Sequence, residues 1–229
     1  MQCLSVPVLE KIKELRCFVV EELRSARRFL SAAGHRGHIE ELELHLLNEH
    51  SSSSEVQALA GLFERGDVGL VSEAGLPAVA DPGAALVELC HAKGIEVVPM
   101  IGPSSLMLAL MASGMNGQSF AFAGYVSAKS EERKNELRRL EKISSSQNQS
   151  QIIIETPYRN DSLLGEMLGC LGDSTRLCVA ADLTLESQTI KSMSIAQWKR
   201  LVASGFTIGK RPCVFVLYSN STGTKNSGR

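Results

Sequence analysis

The segment SEAGLPAVADPG, residues 72–83, carries the strongest chemical pattern in the sequence. It follows the apolar run DVGLVS and precedes a helical stretch, so it joins a predicted strand to a predicted helix. Such connections usually take ~2–6 residues, and longer ones are more often functional. Gly75 and Gly83 would let a ligand approach the backbone closely. We therefore predict a ligand-binding loop, with Asp81 capping the next helix and Pro82 as its first residue.

Two more polar turns follow predicted strands. IGPSS, residues 101–105, places Ser104 and Ser105 at a helix start, where hydroxyls and backbone N–H groups can bind a polar ligand. ETPYR, residues 155–159, combines an acid, a phenol and a guanidinium on one short turn. Taken singly, the first is an ordinary capped helix and the second a solvated loop. A third strand end carries helix-start acids of the kind that the helix dipole favours, with a nearby arginine: Glu21, Glu22 and Arg24.

Composition places the chain among ordinary globular proteins. Its 229 residues suit one large domain or two smaller ones, and 44% are hydrophobic and 21% charged, which excludes a disordered or collagen-like chain. The 24 basic and 25 acidic residues nearly cancel, so a general polyanion binder is not expected. Aromatic residues make up only 5%, too few for a base-stacking platform.

The sequence has no motif for a membrane-spanning helix, a phosphate-binding loop or a zinc site. No apolar run reaches ~18 residues, so no membrane-spanning helix is predicted. Neither GxGxxG nor GxxxxGK[ST] occurs, so a phosphate cradle is not expected. The six cysteines lie far apart, which favours reduced, buried thiols and predicts no zinc site. His35 and His38 lie in a glycine-rich stretch that we interpret as a loop.

Strands and helices alternate along the chain, which predicts an α/β fold with mostly parallel or mixed sheets in two domains. We place the domains at 1–116 and 117–229, divided at a glycine-containing turn, with a frayed tail from about 220. The predicted strands are 16–20, 42–47, 67–72, 95–100, 120–125, 151–155, 176–183, 187–194 and 211–218. The predicted helices are 21–33, 52–65, 84–93, 104–113, 130–143, 159–171 and 194–202.

Taken together, SEAGLPAVADPG, GPSS and ETPYR resemble the motifs of the tetrapyrrole (corrin/porphyrin) methylase family. The best-matching branch contains the small-subunit ribosomal RNA 2′-O-ribose methyltransferase I group. Residues 20–24 correspond to that branch's Ala-Glu-Asp-Thr-Arg-type segment, and residues 182–184 correspond to its Glu-Leu-Thr segment. The resemblance covers nearly the whole chain, in order.

The resemblance implies two α/β domains with S-adenosylmethionine (SAM) in the cleft between them, a homodimer, and methyl transfer to ribosomal RNA without a metal. SAM is a sulfonium compound without phosphate groups, which agrees with the absence of phosphate-binding motifs from the sequence. By position, the cofactor-binding residues of the two main motifs are Glu73, Ala74, Gly75, Leu76, Pro77, Asp81, Pro82, Gly83, Ser104 and Ser105. Three more lie at corresponding strand ends: Glu155, Leu183 and Pro212.

Methylation of a ribose hydroxyl would be helped by a carboxylate that accepts its proton. Glu22 and Asp81 are the candidate bases, and Arg24 or Arg159 is a candidate phosphate contact. The basic residues of the helix 130–143 are either an RNA-facing strip or a solvated face, and the glutamates among them favour the solvated face. A small tetrapyrrole is the alternative substrate.

The sequence departs from the family pattern in several places. It starts after the strand and Pro/Gly-rich turn with which members begin, so the first strand is expected to be missing. Glu73, Leu76 and Ala80 stand where Asp, Thr and Ser are usual, and Tyr158 stands where His is common. A non-catalytic or truncated binding module is therefore the alternative to an enzyme. We expect a cytoplasmic protein, or an organellar one if a targeting segment lies upstream.

Overall fold

The computed structural model describes residues 3–220, and the chain divides into two compact units, Met1–Ser104 and Ser105–Arg229. The boundary differs from the predicted one after residue 116, because the helix over 105–113 packs on the sheet of the second unit through Ala109 and Leu110. The expected frayed tail lies almost wholly outside the described residues. Within 3–220, no helix combines the length and the apolar character that a membrane crossing needs.

The first unit has helices on both sides of a three-stranded parallel sheet. Its helices are α1 (Val6–Glu14), α2 (Leu23–Leu30), α3 (Ser53–Ala58) and α4 (Gly83–Ala92). Its strands are β1 (Cys17–Val20), β2 (Glu43–Leu46) and β3 (Val68–Val71). Shorter helical turns cover Ser31–His35, Ile39–Glu41 and Leu59–Leu62. The sequence analysis assigned no element to the residues of α1.

β1 is the central strand, and its alternating side chains fill two separate cores. The sheet order is β2-β1-β3 and both pairings are parallel. Phe18 and Val20 pack with residues of α1 and α2, while Val19 packs on the other face with residues of α3 and α4. Because all three strands run in the same direction, the loops that follow them leave one edge of the sheet. The long loop 72–82 and Glu21 therefore belong to the same edge.

The predicted strand at residues 95–100 is wrong. The chain leaves α4 with the N–H of Ile95 bonded to the Cys90 carbonyl (2.9 Å) and has no regular structure up to Ser104. Val98 and Ile101 are 66% and 83% exposed. An apolar run predicts burial, but a strand also needs a neighbouring strand to bond its backbone. Pro99 has no N–H group to donate to such a neighbour.

The second unit is built on a five-stranded mixed sheet. Its strands are β4 (Phe120–Tyr125), β5 (Ser150–Glu155), β6 (Arg176–Ala181), β7 (Thr189–Ser194) and β8 (Cys213–Tyr218). Its helices are α5 (Ser105–Ser113), α6 (Ser130–Gln147), α7 (Asn160–Cys170) and α8 (Ile195–Ala203), with a short turn at Pro157–Arg159. The strand order is β4-β5-β8-β6-β7, so the last strand in the sequence is the central strand of the sheet. These elements confirm the predicted α/β class.

Helix α6 is longer than predicted, and one of its basic residues is buried. The side chain of Arg133 is 6% exposed and bonds through Nε and an Nη to the carboxylate of Glu166 on α7. Lys134 instead pairs with the exposed Glu131 one turn away (2.7 Å). Arg133 therefore joins two helices of the core and does not belong to a solvated or RNA-facing strip.

The six cysteines are all free thiols, and half of them are buried. Cys90, Cys178 and Cys213 are buried, Cys17 and Cys170 are half-buried, and Cys3 is exposed. Burial raises the pKa of Cys178 to about 11 and that of Cys213 to about 12, so both stay protonated at neutral pH. These two behave as small core residues.

Candidate functional site

The long loop begins where β3 ends and is tied to the end of the neighbouring strand. The backbone N–H of Glu73 donates to Oε2 of Glu21 (2.9 Å), and Glu21 directly follows β1. Residues 73–75 are exposed, whereas Leu76, Pro77 and Asp81 are half-buried. The loop is therefore anchored at its start and presents its first turn to solvent.

Two alanines of the loop have a backbone conformation that favours glycine. Ala78 and Ala80 have φ angles of 65° and 63°, and Gly75 has a φ of 88°. A left-handed conformation costs a residue with a side chain roughly 1–2 kcal/mol. Such strain persists only where the surroundings enforce it, and it is concentrated at binding and catalytic sites.

The end of the loop packs tightly against the start of α4. A Cβ atom added to Gly83 would lie 2.9 Å from Cδ2 of Leu70 and 3.1 Å from the backbone N of Ala78. The loop closes back on β3 at this glycine, and only the absence of a side chain permits it.

We expect Gly83→Ala to destabilise the chain by about 1–3 kcal/mol, because the backbone at Ala78 must move to accept the methyl group. Urea unfolding followed by circular dichroism measures this change. Gly61→Ala is the matched control, since its Cβ would meet nothing within 4 Å. Equal effects of the two substitutions would contradict the tight closure of the loop.

Asp81 does not cap α4, which corrects the prediction. The helix begins at Gly83 after Pro82, and no side chain caps it. Oδ2 of Asp81 is buried without a hydrogen-bond partner and borders a cavity of about 10 Å³, the size of one water molecule. Burial raises the pKa of Asp81, the nearby charge of Glu21 raises it further, and a hydrogen bond from Ser72 opposes the shift. Asp81 thus has the properties of a proton acceptor.

Glu22, the other candidate base, has a clear structural role. Its carboxylate accepts from the backbone N–H groups of Arg24 (2.9 Å) and Ser25 (2.5 Å) and so caps α2. These two hydrogen bonds lower the pKa of Glu22. The side chain of Arg24 is exposed on the first turn of the same helix.

The GPSS turn meets the long loop through its glycine. A Cβ added to Gly102 would lie 2.9 Å from Cδ2 of Leu76, so the two predicted motifs pack against each other within the first unit. Ser104 is the last residue of that unit, and Ser105 is the first residue of α5.

In the second unit, Glu155 is a fully buried carboxylate at the end of β5. Its Oε1 accepts from the backbone N–H of Thr156 (2.6 Å) and from Nε and an Nη of Arg159 (2.9 and 2.6 Å). Its Oε2 has no hydrogen-bond partner although it is buried. The adjacent Asn160 also buries an unpartnered oxygen, Oδ1, while its Nδ2 donates to the carbonyls of Gly209 and Arg211. These two oxygens remain available to a donor.

The structure brings Leu183 and Pro212 to the same edge of this sheet as Glu155. Glu155 is the register partner of Cys213, which also pairs with Ala181. The N–H of Asp182 donates to the carbonyl of Pro212 (3.0 Å), so the residue before Leu183 is bonded to Pro212 itself. Asp182 and Thr184 have positive φ angles of 52° and 73°. A second strained turn therefore lies at this edge.

Basic and aromatic side chains surround the ETPYR turn. The Nζ of Lys210 lies 5.4 Å from the ring centroid of the exposed Tyr158, within cation–π range. The half-buried Arg159 is held by Glu155, and Arg211 lies 3.9 Å from Oδ2 of Asp182. Arg159 and Arg211 are thus each close to a carboxylate, and Lys210 lies against the tyrosine ring.

Three residues that the predicted set of site residues lacks also lie at the candidate site: Glu21, Asp182 and Asn160. In the sequence, Glu21 and Glu22 stand at one strand end, and only the structure separates the residue that reaches the loop from the one that caps a helix. Asp182 belongs to the segment 182–184 and Asn160 directly follows the ETPYR turn, but neither has a chemical pattern of its own in the sequence.

No family model matches the chain. Among solved structures, the methyltransferase CobJ superposes with a TM-score of 0.62 at 17% identity, covering 100% of this chain and 92% of that one. The uroporphyrin-III C-methyltransferase of Thermus thermophilus, complexed with S-adenosylhomocysteine, gives 0.53 at 16% identity, with 95% and 92% covered. The fold is therefore that of the tetrapyrrole methylases.

Curated proteins found by sequence have higher identity to this chain than these solved structures do. The "Ribosomal RNA small subunit methyltransferase I" of Vibrio cholerae is 37% identical over 152 residues, which are 66% of this chain and 51% of that protein. The protein of the same name from Pseudomonas aeruginosa is 29% identical over 215 residues, with 93% and 73% covered. The chain thus spans from about half to three quarters of these relatives. Within the methylase fold it is a relative of the ribosomal RNA small subunit methyltransferase I proteins, which confirms the resemblance.

Proposed function

We propose that this chain is a SAM-dependent methyltransferase that methylates a ribose 2′-hydroxyl of small-subunit ribosomal RNA. The observation that carries the proposal is the strained loop 72–82, in which Oδ2 of the half-buried Asp81 has no hydrogen-bond partner and Glu21 lies close by at the end of a parallel strand. The names of its sequence relatives support the RNA substrate.

The chemistry of the residues present fits SAM, which carries a sulfonium, an ammonium and an adenine with donor groups. Buried carboxylate oxygens without a partner occur at Asp81 in the first unit and at Glu155 in the second. Each can accept a hydrogen bond or face a positive charge. In the first unit, residues 73–77 and 81–83 would hold the cofactor with Ser104, and in the second unit Ser105, Glu155, Leu183 and Pro212 would hold it.

SAM, when bound, supplies a methyl group on a sulfur that leaves readily, so alignment of donor and acceptor accounts for much of the rate. Asp81 accepts the proton of the ribose hydroxyl at Oδ2, because its raised pKa makes it a stronger base than an ordinary aspartate. Glu22 is the weaker candidate, since both its oxygens accept backbone N–H groups. Arg159 or Arg24 would hold a phosphate of the RNA, and Lys210 lies against the ring of Tyr158, the residue before Arg159.

Three further properties are part of the proposal. A homodimer is supported by the large apolar side chains exposed on the edge strand β4, namely Phe120, Phe122 and Tyr125. A cytoplasmic location is supported by the free thiols and by the ribosomal substrate. Methyl transfer of this kind needs no metal.

The alternatives are a small tetrapyrrole substrate, by the structural neighbours, and a non-catalytic module, by the departures in the loop. Calorimetric titration of the 229-residue chain with SAM and with S-adenosylhomocysteine distinguishes a non-catalytic module from a SAM-dependent enzyme. We expect saturable binding of both, followed by transfer of labelled methyl from SAM to small ribosomal subunits at an alkali-resistant position. A folded chain that binds neither compound would contradict the proposal, and methylation of uroporphyrinogen but not RNA would identify the tetrapyrrole reaction.

A further inference from the structure

A second cluster of chemically versatile side chains lies at the opposite ends of the strands of the first unit. Cys17 begins β1 and Glu43 begins β2, and the two are register partners in a parallel pairing. His45 is two residues beyond Glu43 and so points to the same face of the sheet. Sulfur, carboxylate oxygen and imidazole nitrogen all lie within 4.8 Å of one another.

These atoms are close enough to share one metal ion. In a tetrahedral site, ligand atoms bound to zinc at about 2.0–2.3 Å lie about 3.3–3.8 Å apart, so side-chain rotations would bring all three atoms onto one ion. Nε2 of His45 already lies 2.9 Å from Oε1 of Glu43. The thiol and the imidazole are both half-buried.

An open cavity of about 540 Å³ adjoins the cluster and admits solvent. Cys17 and Glu43 line it, together with the ion-pairing residues Lys11, Arg65 and Asp67. Three protein ligands and an accessible fourth position suit a tetrahedral ion that keeps one water. The mixed sulfur, nitrogen and oxygen ligands favour zinc over magnesium or calcium, which prefer oxygen alone.

We propose that Cys17, Glu43 and His45 bind a zinc ion at the amino ends of β1 and β2. This site is separate from the proposed methyl-transfer site, because the loop 72–82 leaves the carboxyl end of the sheet. As the zinc–sulfur bond forms, the proton of the Cys17 thiol passes to solvent. The ion would join the edge strand β2 to the central strand β1.

Arg65 is the competitor for this site. Its Nη lies 2.8 Å from Oε1 of Glu43, and it is more than half exposed. An exposed ion pair contributes little free energy, so zinc can replace the guanidinium at the carboxylate. Binding leaves Arg65 in the solvent-filled cavity.

The test is a titration of the chelator-treated full chain with Co²⁺ and Zn²⁺. We expect one Co²⁺ per chain, with the near-ultraviolet absorption of a thiolate-to-cobalt bond, and displacement of Co²⁺ by Zn²⁺. Cys17→Ser should abolish the absorption, and His45→Ala should weaken binding at least ~10-fold, since even outer-sphere changes cost that much. The matched controls are Cys170→Ser, another half-buried thiol, and His50→Ala, an exposed histidine.

Melting curves in chelator verify that each variant is folded without metal. Binding by Cys17→Ser equal to that of the parent, or loss of the thiolate absorption in Cys170→Ser, would overturn the proposal. The result is independent of methyl transfer, because the readout is absorption of the bound ion.

Discussion

Asp81→Asn should abolish most methyl transfer while leaving the chain at least as stable as the parent. Removal of a general base typically costs ~10²–10⁴ in rate, and the amide cannot accept the ribose proton. The change is nearly isosteric, so the loop should keep its fold, and calorimetric titration with SAM separates a loss of cofactor binding from a loss of methyl transfer. Single-turnover transfer of labelled methyl to small ribosomal subunits measures the loss.

The direction of the stability change follows from the pKa of Asp81. Its pKa in the folded chain is raised above the ordinary value, so folding favours the protonated form. As the pH rises through the folded pKa, the carboxylate becomes charged and the free energy of unfolding falls. Asparagine is neutral, so it avoids this loss of stability at pH 7. A melting temperature unchanged or higher, together with lost activity, separates a catalytic role from a structural one.

Glu22→Gln is the matched control for Asp81→Asn. It removes the charge of a carboxylate whose pKa is lowered by the N–H groups of Arg24 and Ser25, so we expect a weaker helix cap and nearly parental transfer. Loss of transfer in Glu22→Gln but not in Asp81→Asn would identify Glu22 as the base. Full activity of both variants would contradict a carboxylate base altogether.

Glu166→Gln should be the most destabilising single-charge change in the second unit. It removes the anionic partner of Arg133, whose side chain is 6% exposed, and an unpaired buried guanidinium is costly. We expect a loss of about 2–3 kcal/mol, because glutamine still accepts one hydrogen bond. Trp198, the single tryptophan of the sequence, is buried in the same core, so its fluorescence reports urea unfolding of this unit.

The same ion pair makes stability depend on pH. The hydrogen bonds from Arg133 lower the pKa of Glu166 from 4.5 to about 2. A lowered pKa stabilises the fold above the unfolded value of 4.5, and this contribution is lost as the pH falls from 4.5 towards 2. The parent and Glu166→Gln should therefore converge in stability over that range.

Glu131→Gln on α6 is the control, because Glu131 is exposed and pairs with Lys134. We expect no measurable change in the midpoint of unfolding. Equal destabilisation by the two substitutions would mean that helix charge, and not the buried pair, determines the stability.

The elements could be predicted because their patterns are local. The apolar runs of β1, β3 and β5 and the polar turns after them are visible in sequence, and the structure confirms these strands. The run 95–100 shows the limit, since its apolar residues have no strand partner and Val98 is exposed. Hydrophobicity predicts that a segment is buried, whereas a strand also requires a neighbouring strand with which its backbone can form hydrogen bonds.

The sequence predicts the parts of the site that are formed by consecutive residues of one motif. The motifs locate the loop and the ETPYR turn, but they do not separate Asp81 from Glu22. The difference lies in the folded chain, where Oδ2 of Asp81 has no hydrogen-bond partner and both oxygens of Glu22 accept backbone N–H groups. The strain at Ala78 and Ala80 has no sequence pattern at all, since alanine usually indicates a right-handed helix. Cys17 and His45 are brought together by a parallel pairing, which spacing rules for metal ligands do not detect.

The position of β8 determines when the second unit can fold during synthesis. This last strand lies between β5 and β6, so until Tyr218 has left the ribosome the sheet is two separate pieces, each with an open edge. The parallel sheet of the first unit is complete once β3 has emerged, and it can form much earlier. During translation, the first sheet can therefore pair before the second sheet has its central strand. Until β8 is synthesised, the apolar strands of the second unit expose edges that favour aggregation.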